Sequence, residues 1–145
     1  MTQIVLKAYA YITQGDLLLV FRQPAAPQAG IQIPGGTVET GETPTRAVLR
    51  EAAEETGLRD LRLHCKLGTS DLDMRPHGLD IIQHRHFFHL LAPPGAPGRW
   101  RHFELTPNGS ADGPIAFDFY WVDWPDRTPH RAVANVLLAT HRWAA

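Results

Sequence analysis

The sequence predicts an α/β protein, a single domain over residues 1–145 built as a mixed β-sheet with helices covering both faces. Three observations carry that reading. Two stretches with helical apolar spacing, one central and one C-terminal, are separated by several runs of alternating β-formers. Turn and breaker residues such as Gly15-Asp16, Pro34-Gly35-Gly36, Gly57 and Pro125 fall between those runs. A length of 145 residues is enough for one core and short for two.

Residues 3–13 (QIVLKAYAYIT) contain apolar alternation and read as a strand. Gly15-Asp16 makes a tight turn into 17–22 (LLLVFR), a more buried strand, so the two form an antiparallel hairpin. Residues 24–30 have no period and read as a loop, and 31–33 form a short extended piece leading into Pro34-Gly35-Gly36. There the glycines allow positive φ and close approach to a ligand. Thr43-Pro44 opens a helix, with Thr43 able to cap free N–H groups and proline suited to the first helical position. Gly57 ends it in the left-handed place after the last turn. Residues 61–69 alternate and pair with the strong β segment 80–91, and 70–78 between them reads as a polar loop. The stretch 92–114 is rich in proline and glycine, and only 100–105 looks extended. Residues 115–124 alternate with aromatics as another strand, and 131–143 close the chain as a helix through Ala132, Val136, Ala139 and Trp143.

Composition narrows the function classes. Hydrophobic content of 43% and charged content of 20% are those of a soluble globular protein. A formal net charge of −1 leaves no basic footprint for sequence-independent nucleic-acid binding. No apolar run approaches the roughly 20 residues of a membrane span, so no membrane partner is expected. The N-terminus lacks the apolar region of a signal peptide, and the one cysteine, Cys65, excludes an intramolecular disulfide. Both fit a reducing cytoplasm. Cys65 reads as a small buried apolar side chain. The apolar content of 115–124 would serve a core or a dimer equally, which leaves monomer and homodimer both open.

The chemistry concentrates in the central helix. Glu51, Glu54 and Glu55 stand at i, i+3 and i+4 and share one face, while Val48, Leu49, Ala52 and Thr56 fall opposite and would pack inward. Like charges at this spacing repel, and anions near a helix C-terminus oppose its dipole. Arg50 offsets part of this as the i, i+4 partner of Glu54. A solvated acidic face would explain three glutamates alone. A hard divalent cation gives a reason to pack them, since Mg²⁺ takes oxygen ligands and bridges to substrate phosphates.

Residues 36–58 match G-x5-E-x7-R-E-U-x-E-E-x-G-U, with U aliphatic, at Gly36, Glu42, Arg50, Glu51, Ala52, Glu54, Glu55, Gly57 and Leu58. This segment resembles the signature box of the Nudix hydrolases; the one departure is Ala52, smaller than the usual aliphatic residue. The resemblance implies an α/β/α sandwich whose box forms a loop-helix-loop. It further implies hydrolysis of the diphosphate bridge in a nucleoside diphosphate linked to another group, with Mg²⁺, or Mn²⁺ in its place, as cofactor. By the same resemblance Glu51 and Glu55 are the principal metal ligands, with the main-chain carbonyl of Gly35. Glu54 is a further ligand or the base that orients the attacking water, and Arg50 fixes a glutamate carboxylate from behind. Glu42 is structural or outer-shell, and Gly36 and Gly57 shape the loop and the helix end. A non-catalytic nucleotide-binding module of the same fold is the alternative, and it has no need of the full set Arg50, Glu51, Glu54 and Glu55.

Outside the box the candidates are fewer. Many family members recruit a later acidic residue, for which Glu104 is the first candidate, ahead of Asp112 and Asp118. Arg22 and Arg85 could reach a phosphate from sheet positions. On a strand His84 and His86 share one face while His89 points to the other, so these three do not make a zinc site, though His86 could meet a small nucleotide substrate. Phe21, Trp100, Phe103, Phe119 and Trp121 are candidates for stacking on a base, or for the core.

Overall fold

The computed structural model describes residues 1–104 and 113–124. Its elements are β1 (Gln3–Gln14), β2 (Leu17–Arg22), β3 (Gly35–Thr37), α1 (Pro44–Thr56), β4 (Arg62–Asp73), β5 (Ile81–Leu91), β6 (Arg99–Glu104) and β7 (Ile115–Asp123). The strands form a sheet in the order β4-β5-β1-β2-β7-β6, with β3 paired to β1 outside that path. The β1–β5 pair is parallel and the other pairs are antiparallel, so the sheet is mixed as expected.

One edge of β1 is shared between two partners. Its C-terminal end turns into β2 through Thr13↔Leu18 and Gln14↔Leu17. Its middle pairs with β3 instead, at Lys7↔Thr37, Ala8↔Gly36 and Tyr9↔Gly35. The Ala10 amide donates to the Pro34 carbonyl at 2.8 Å, and Phe21 and Gln32 form a bridge, so the chain between β2 and β3 is held on both sides. The sheet therefore forks at β1, and α1 leaves from the fork.

Alternation sorts the side chains to two faces. Ala8, Ala10, Ile12, Leu19, Phe21, Phe88, Leu90, Phe117 and Phe119 form one core with Ala47, Val48 and Ala52 of α1. Each fully buried aliphatic side chain there contributes about 1.5–3 kcal/mol. On the opposite face Tyr9, Tyr11, Leu18, Val20, Ile33, Phe87 and Trp124 form a second cluster, with Tyr11 stacked on Trp124 at 5.3 Å between centroids. The expected helix over 131–143 lies outside the described residues, as do 105–112.

Three expectations change. Residues 70–73, read as loop, continue β4 and pair from Ser70↔Arg85 to Asp73↔Ile82, and a 3₁₀ turn at Arg75–His77 then returns the chain to β5. Residues 70–73 lie on an edge strand that is largely exposed, so polar side chains such as Ser70, Asp71 and Asp73 are tolerated there and leave no apolar alternation to read. The same edge position leaves Cys65 exposed, not buried. Finally, Gly35–Thr37 is a strand in its own right, which two adjacent glycines disguise as a turn.

Candidate active site

The helix that carries the glutamates is capped as its sequence predicts. The Thr43 side chain accepts from the Arg46 amide at 3.2 Å, and Gly57 takes φ 74° while its amide donates to the Ala53 carbonyl. The glutamate face, however, is no solvated surface. Glu55 is only 6% exposed, and the Glu51 side chain is 14% exposed against 54% for Glu54. The apolar residues opposite do pack inward, with Val48, Ala52 and Thr56 all buried, so α1 is covered on two sides.

Gly36 makes that second burial possible. A Cβ on Gly36 would fall 2.6 Å from both carboxylate oxygens of Glu51, so the carboxylate occupies the space that any larger residue would fill. Gly35 is constrained from the sheet side, since a Cβ there would lie 2.6 Å from the Ala8 carbonyl oxygen. β3 thus lies tight between β1 and α1, and the main chain of Gly35 reaches Glu55 through a backbone hydrogen bond.

The electrostatics follow from this packing. Burial pushes the Glu55 carboxyl well above the usual range, and the charges of Glu51 and Glu104 push it further; the Gly35 hydrogen bond and Lys7 oppose them. Glu51 is raised by burial first, against the hydrogen bond and charge of Arg50, with Glu54 and Glu104 adding to the rise. Glu104 is raised by burial and then by Glu54. Four carboxylates from two elements therefore act on one another, and three of them resist ionising. Such a set is stable only when a cation or protons neutralise it.

Arg50 ties the helix to the loop before it. Its Nε and Nη2 donate to Glu42 Oε2 and Oε1 at 2.8 and 2.9 Å, a forked pair. Its Nη1 donates to Glu51 Oε1 at 2.9 Å and, less closely, to Glu54 Oε2 at 3.4 Å, and Nη2 reaches the Thr37 carbonyl. The expected i, i+4 contact with Glu54 is thus the weakest of its carboxylate hydrogen bonds. Glu42, held down to about 2 by Arg50 and then by the Glu39 amide, stays ionised and braces the loop.

The far end of α1 is held by β6. Trp100 Nε1–H donates to the Thr56 carbonyl at 2.8 Å, and His102 Nε2–H to the Glu54 carbonyl at 3.0 Å. A Cβ on Gly57 would lie 2.7 Å from His102 Nδ1, so this glycine serves the turn and the ring at once. These contacts set β6 against the helix, and Glu104, at its end, joins the carboxylates.

Sequence reasoning missed Lys7. It stands on β1 beside Thr37, donating to its hydroxyl at 2.9 Å, and its interactions with Glu51 and Glu55 oppose the lowering that burial and Arg85 cause. A lysine inside an apolar strand was the available signal. Its register partner Arg85 is 2% exposed, lies 5.3 Å over the Tyr9 ring, donates from Nε to Gln83 at 2.9 Å, and has no hydrogen-bond partner for Nη2 among the described residues.

The remaining candidates lie further out. Arg22 donates to the Tyr120 hydroxyl at 3.0 Å and lines a cleft of about 720 Å³ with Arg99, Trp100, Arg101 and Asp118. Arg101 is three residues from Glu104 along β6, roughly 10 Å. Asp118 is taken by Arg101 through two hydrogen bonds at 2.6 and 3.0 Å, and Asp112 lies outside the described residues. His86 sits across Ala8 from Gly36, roughly 10 Å away by strand spacing, where it accepts from Lys66 and meets the His84 ring. Of the aromatics, Phe21 and Phe119 are core, Trp100 stacks on Phe119, Trp121 donates to the Pro97 carbonyl, and Phe103 is half exposed.

A model of the NUDIX domain matches residues 4–135. The chain belongs to the NUDIX domain family. That family generally uses divalent metals. Solved structures share the fold at low identity. A NUDIX hydrolase from Nitrosomonas europaea superposes with a TM-score of 0.61 at 21% identity, covering 97% of this chain and 90% of that one. A MutT NUDIX hydrolase from Burkholderia pseudomallei gives 0.54 at 22%, covering 96% and 97%. A UDP-X diphosphatase gives 0.59 at 16% over the whole of this chain, which spans 66% of the diphosphatase's length. The Nudix reading of the box, and the mixed sheet with α1 packed on it, agree with these matches. No helix among the described residues is long and apolar enough to cross a membrane.

Proposed function

We propose that this Nudix protein hydrolyses the diphosphate bridge of a nucleoside diphosphate linked to another moiety, as one catalytic domain using Mg²⁺, with Mn²⁺ able to replace it. The observation that carries the reading is the convergence of Glu51, Glu55 and Glu104, three carboxylates that their own packing withdraws from water and makes reluctant to ionise without a cation. An all-oxygen donor set of this kind suits a hard cation. Glu51 and Glu55 would hold it together with the Gly35 carbonyl, and Glu54 or Glu104 would complete the set. When bound, the metal supplies charge stabilisation at the phosphoryl oxygens and a more acidic water.

The protein's own part is orientation. Arg50 fixes the Glu51 carboxylate, Glu42 fixes Arg50, and Gly36 leaves room for the result. Glu54, the most exposed of the helical carboxylates, is placed to take a proton from water. Lys7 and Arg85 offer positive charge on paired strands, and Nη2 of Arg85, without a partner among the described residues, supports a polyanionic substrate. Arg22, with Arg99 and Arg101, lines a cleft of ordinary small-ligand volume on the sheet face turned away from α1, so these arginines would not share a phosphate with the carboxylates. His86 is a more distant contact. Nucleoside triphosphates, dinucleoside polyphosphates and nucleotide sugars all fit this description, and the cytoplasm is the compartment in which they are met.

The test is turnover across a panel of these compounds with Mg²⁺ and with Mn²⁺, with Glu55→Gln alongside and products identified by mass. Cleavage of one class to a nucleoside monophosphate, lost in the variant, supports the proposal. Turnover that survives both metal removal and Glu55→Gln would overturn it.

A further inference from the structure

A second cluster of ligating side chains lies at the other end of β1 from the acidic fork. Cys65 Sγ and a ring nitrogen from each of His64 and His89 lie within 4.8 Å of one another. Consecutive residues of a regular strand point to opposite faces. His64 and Cys65 escape that rule because the register shifts between Leu63 and Cys65, making His64 the extra residue of a bulge. Leu63 pairs with Leu90 and Cys65 with His89, and the His64 ring meets the His89 ring edge to face at 4.9 Å. The bulge thus gathers two donors from one strand against a third from its neighbour.

We propose that His64, Cys65 and His89 bind a thiophilic divalent cation, zinc being the expected one, at a site separate from the acidic centre. The donor set decides the metal. One thiolate and two imidazoles suit zinc, whereas the all-carboxylate fork suits magnesium, so ligand softness sorts the two ions. A tetrahedral ion with bonds of about 2.0–2.3 Å needs its ligand atoms about 3.3–3.8 Å apart. His64 and Cys65 are exposed on an edge strand and can close the remaining gap by side-chain rotation, while His89 is buried and supplies the fixed point. Thr13 Oγ1 lies 2.7 Å from His89 Nε2. That bond is of the kind that orients a ligating imidazole from outside the metal site. Trp124 packs against the His89 ring at 5.9 Å and walls one side. Three protein ligands leave a fourth position to water. Thr13 is four residues along β1 from Tyr9, so the site stands roughly 13 Å from the point where β1 meets Gly35.

Cobalt titration of the full chain, with excess Mg²⁺ occupying the carboxylates, tests this. Co²⁺ bound through Cys65 gives a thiolate-to-metal charge-transfer band that carboxylate-bound Co²⁺ does not. The expected result is one equivalent with that band, displaced by Zn²⁺, absent in Cys65→Ser and at least tenfold weaker in His64→Ala. Thr13→Val should weaken binding about 10–100-fold while keeping the band. Cys65 and His64 are exposed, so neither substitution threatens folding, which circular dichroism checks. No thiolate band in the wild type, or a band whose affinity is unchanged in His64→Ala, overturns the proposal. In the second outcome Cys65 would be binding as a lone thiol.

Discussion

Glu55→Gln should stabilise the metal-free protein while abolishing activity. The substitution keeps size and shape and removes a negative charge that is 6% exposed and repelled by Glu51 and Glu104. The Gly35 hydrogen bond to Glu55 can pass to the glutamine carbonyl oxygen, so little is lost with the charge. Relief of a poorly compensated buried polar group amounts to about 1–3 kcal/mol, and about 2–4 °C of melting temperature follows per kcal/mol for a chain of this length. The sign depends on pH. Glu51, Glu55 and Glu104 have folded values above their unfolded ones, so the folded state holds more protons between the two. Stability is therefore greatest below the ordinary glutamate value and falls as pH rises through that window. Glu55→Gln removes the largest part of this slope, and the two proteins should converge on acidification. Saturating metal should reverse the order, because a ligand at 100 times its dissociation constant stabilises by about 2.7 kcal/mol and the variant has lost a donor. The assay is a pair of melting series at neutral and acidic pH, one in chelator and one in Mg²⁺. A variant less stable than wild type in chelator at neutral pH would refute the reasoning, since Glu55 would then be a net stabilising charge.

Gly36→Ala should leave the fold intact and cost activity, because the added methyl lies 2.6 Å from the Glu51 carboxylate oxygens and a long side chain yields before a backbone does; a loss of about 10²-fold in kcat with melting within a few degrees is expected. Arg50→Lys keeps the charge but not the fork to Glu42, so metal affinity should fall about 10–100-fold, read by calorimetric titration, and more steeply than in Glu54→Gln. Glu104→Gln should lower the pH at which Glu51 and Glu55 ionise, moving the acidic limb of the pH–rate profile downward; an unmoved limb would separate Glu104 from the carboxylate set.

The parts of the site that depend on spacing were legible in the sequence. Nine residues at fixed intervals, with the Thr43-Pro44 opening, located α1, its caps and its glutamates, because helical geometry turns spacing directly into neighbourhood. The parts that depend on strand pairing were not. Lys7 and Arg85 are 78 residues apart and meet only because β1 and β5 run parallel in one register. His64 and Cys65 came together through a bulge, which shifts alternation by one residue and leaves no mark in composition. Burial of the glutamate face was hidden for a related reason. On the helix alone Glu51 and Glu55 look solvated, and what covers them is β3, a strand three residues long of which two are glycine.

That short strand explains why the acidic helix face and the sheet are one construction. A full-length partner on this edge of β1 would carry side chains toward α1 and hold the helix away. β2 instead pairs with β1 only beside the hairpin, and β3 fills the vacated stretch with backbone and almost no side chain. The Glu51 carboxylate then rests where a side chain on Gly36 would be, and Glu55 takes a hydrogen bond from the Gly35 main chain. The strength of this arrangement lies in its incompleteness. Lys7 and the Gly35 hydrogen bond offset part of the charge on Glu55, yet its proton affinity remains raised, so a net attraction for a cation persists after the protein's own groups have been counted. Had Lys7 been closer or better hydrated, the fold would be more stable and the affinity for a divalent ion lower. Burial and Arg85 together outweigh the two glutamates in disfavouring the Lys7 charge, so Lys7→Gln should hold or raise stability in chelator while tightening metal binding by titration. Unchanged metal affinity in the variant would mean that Lys7 does not act on the carboxylates.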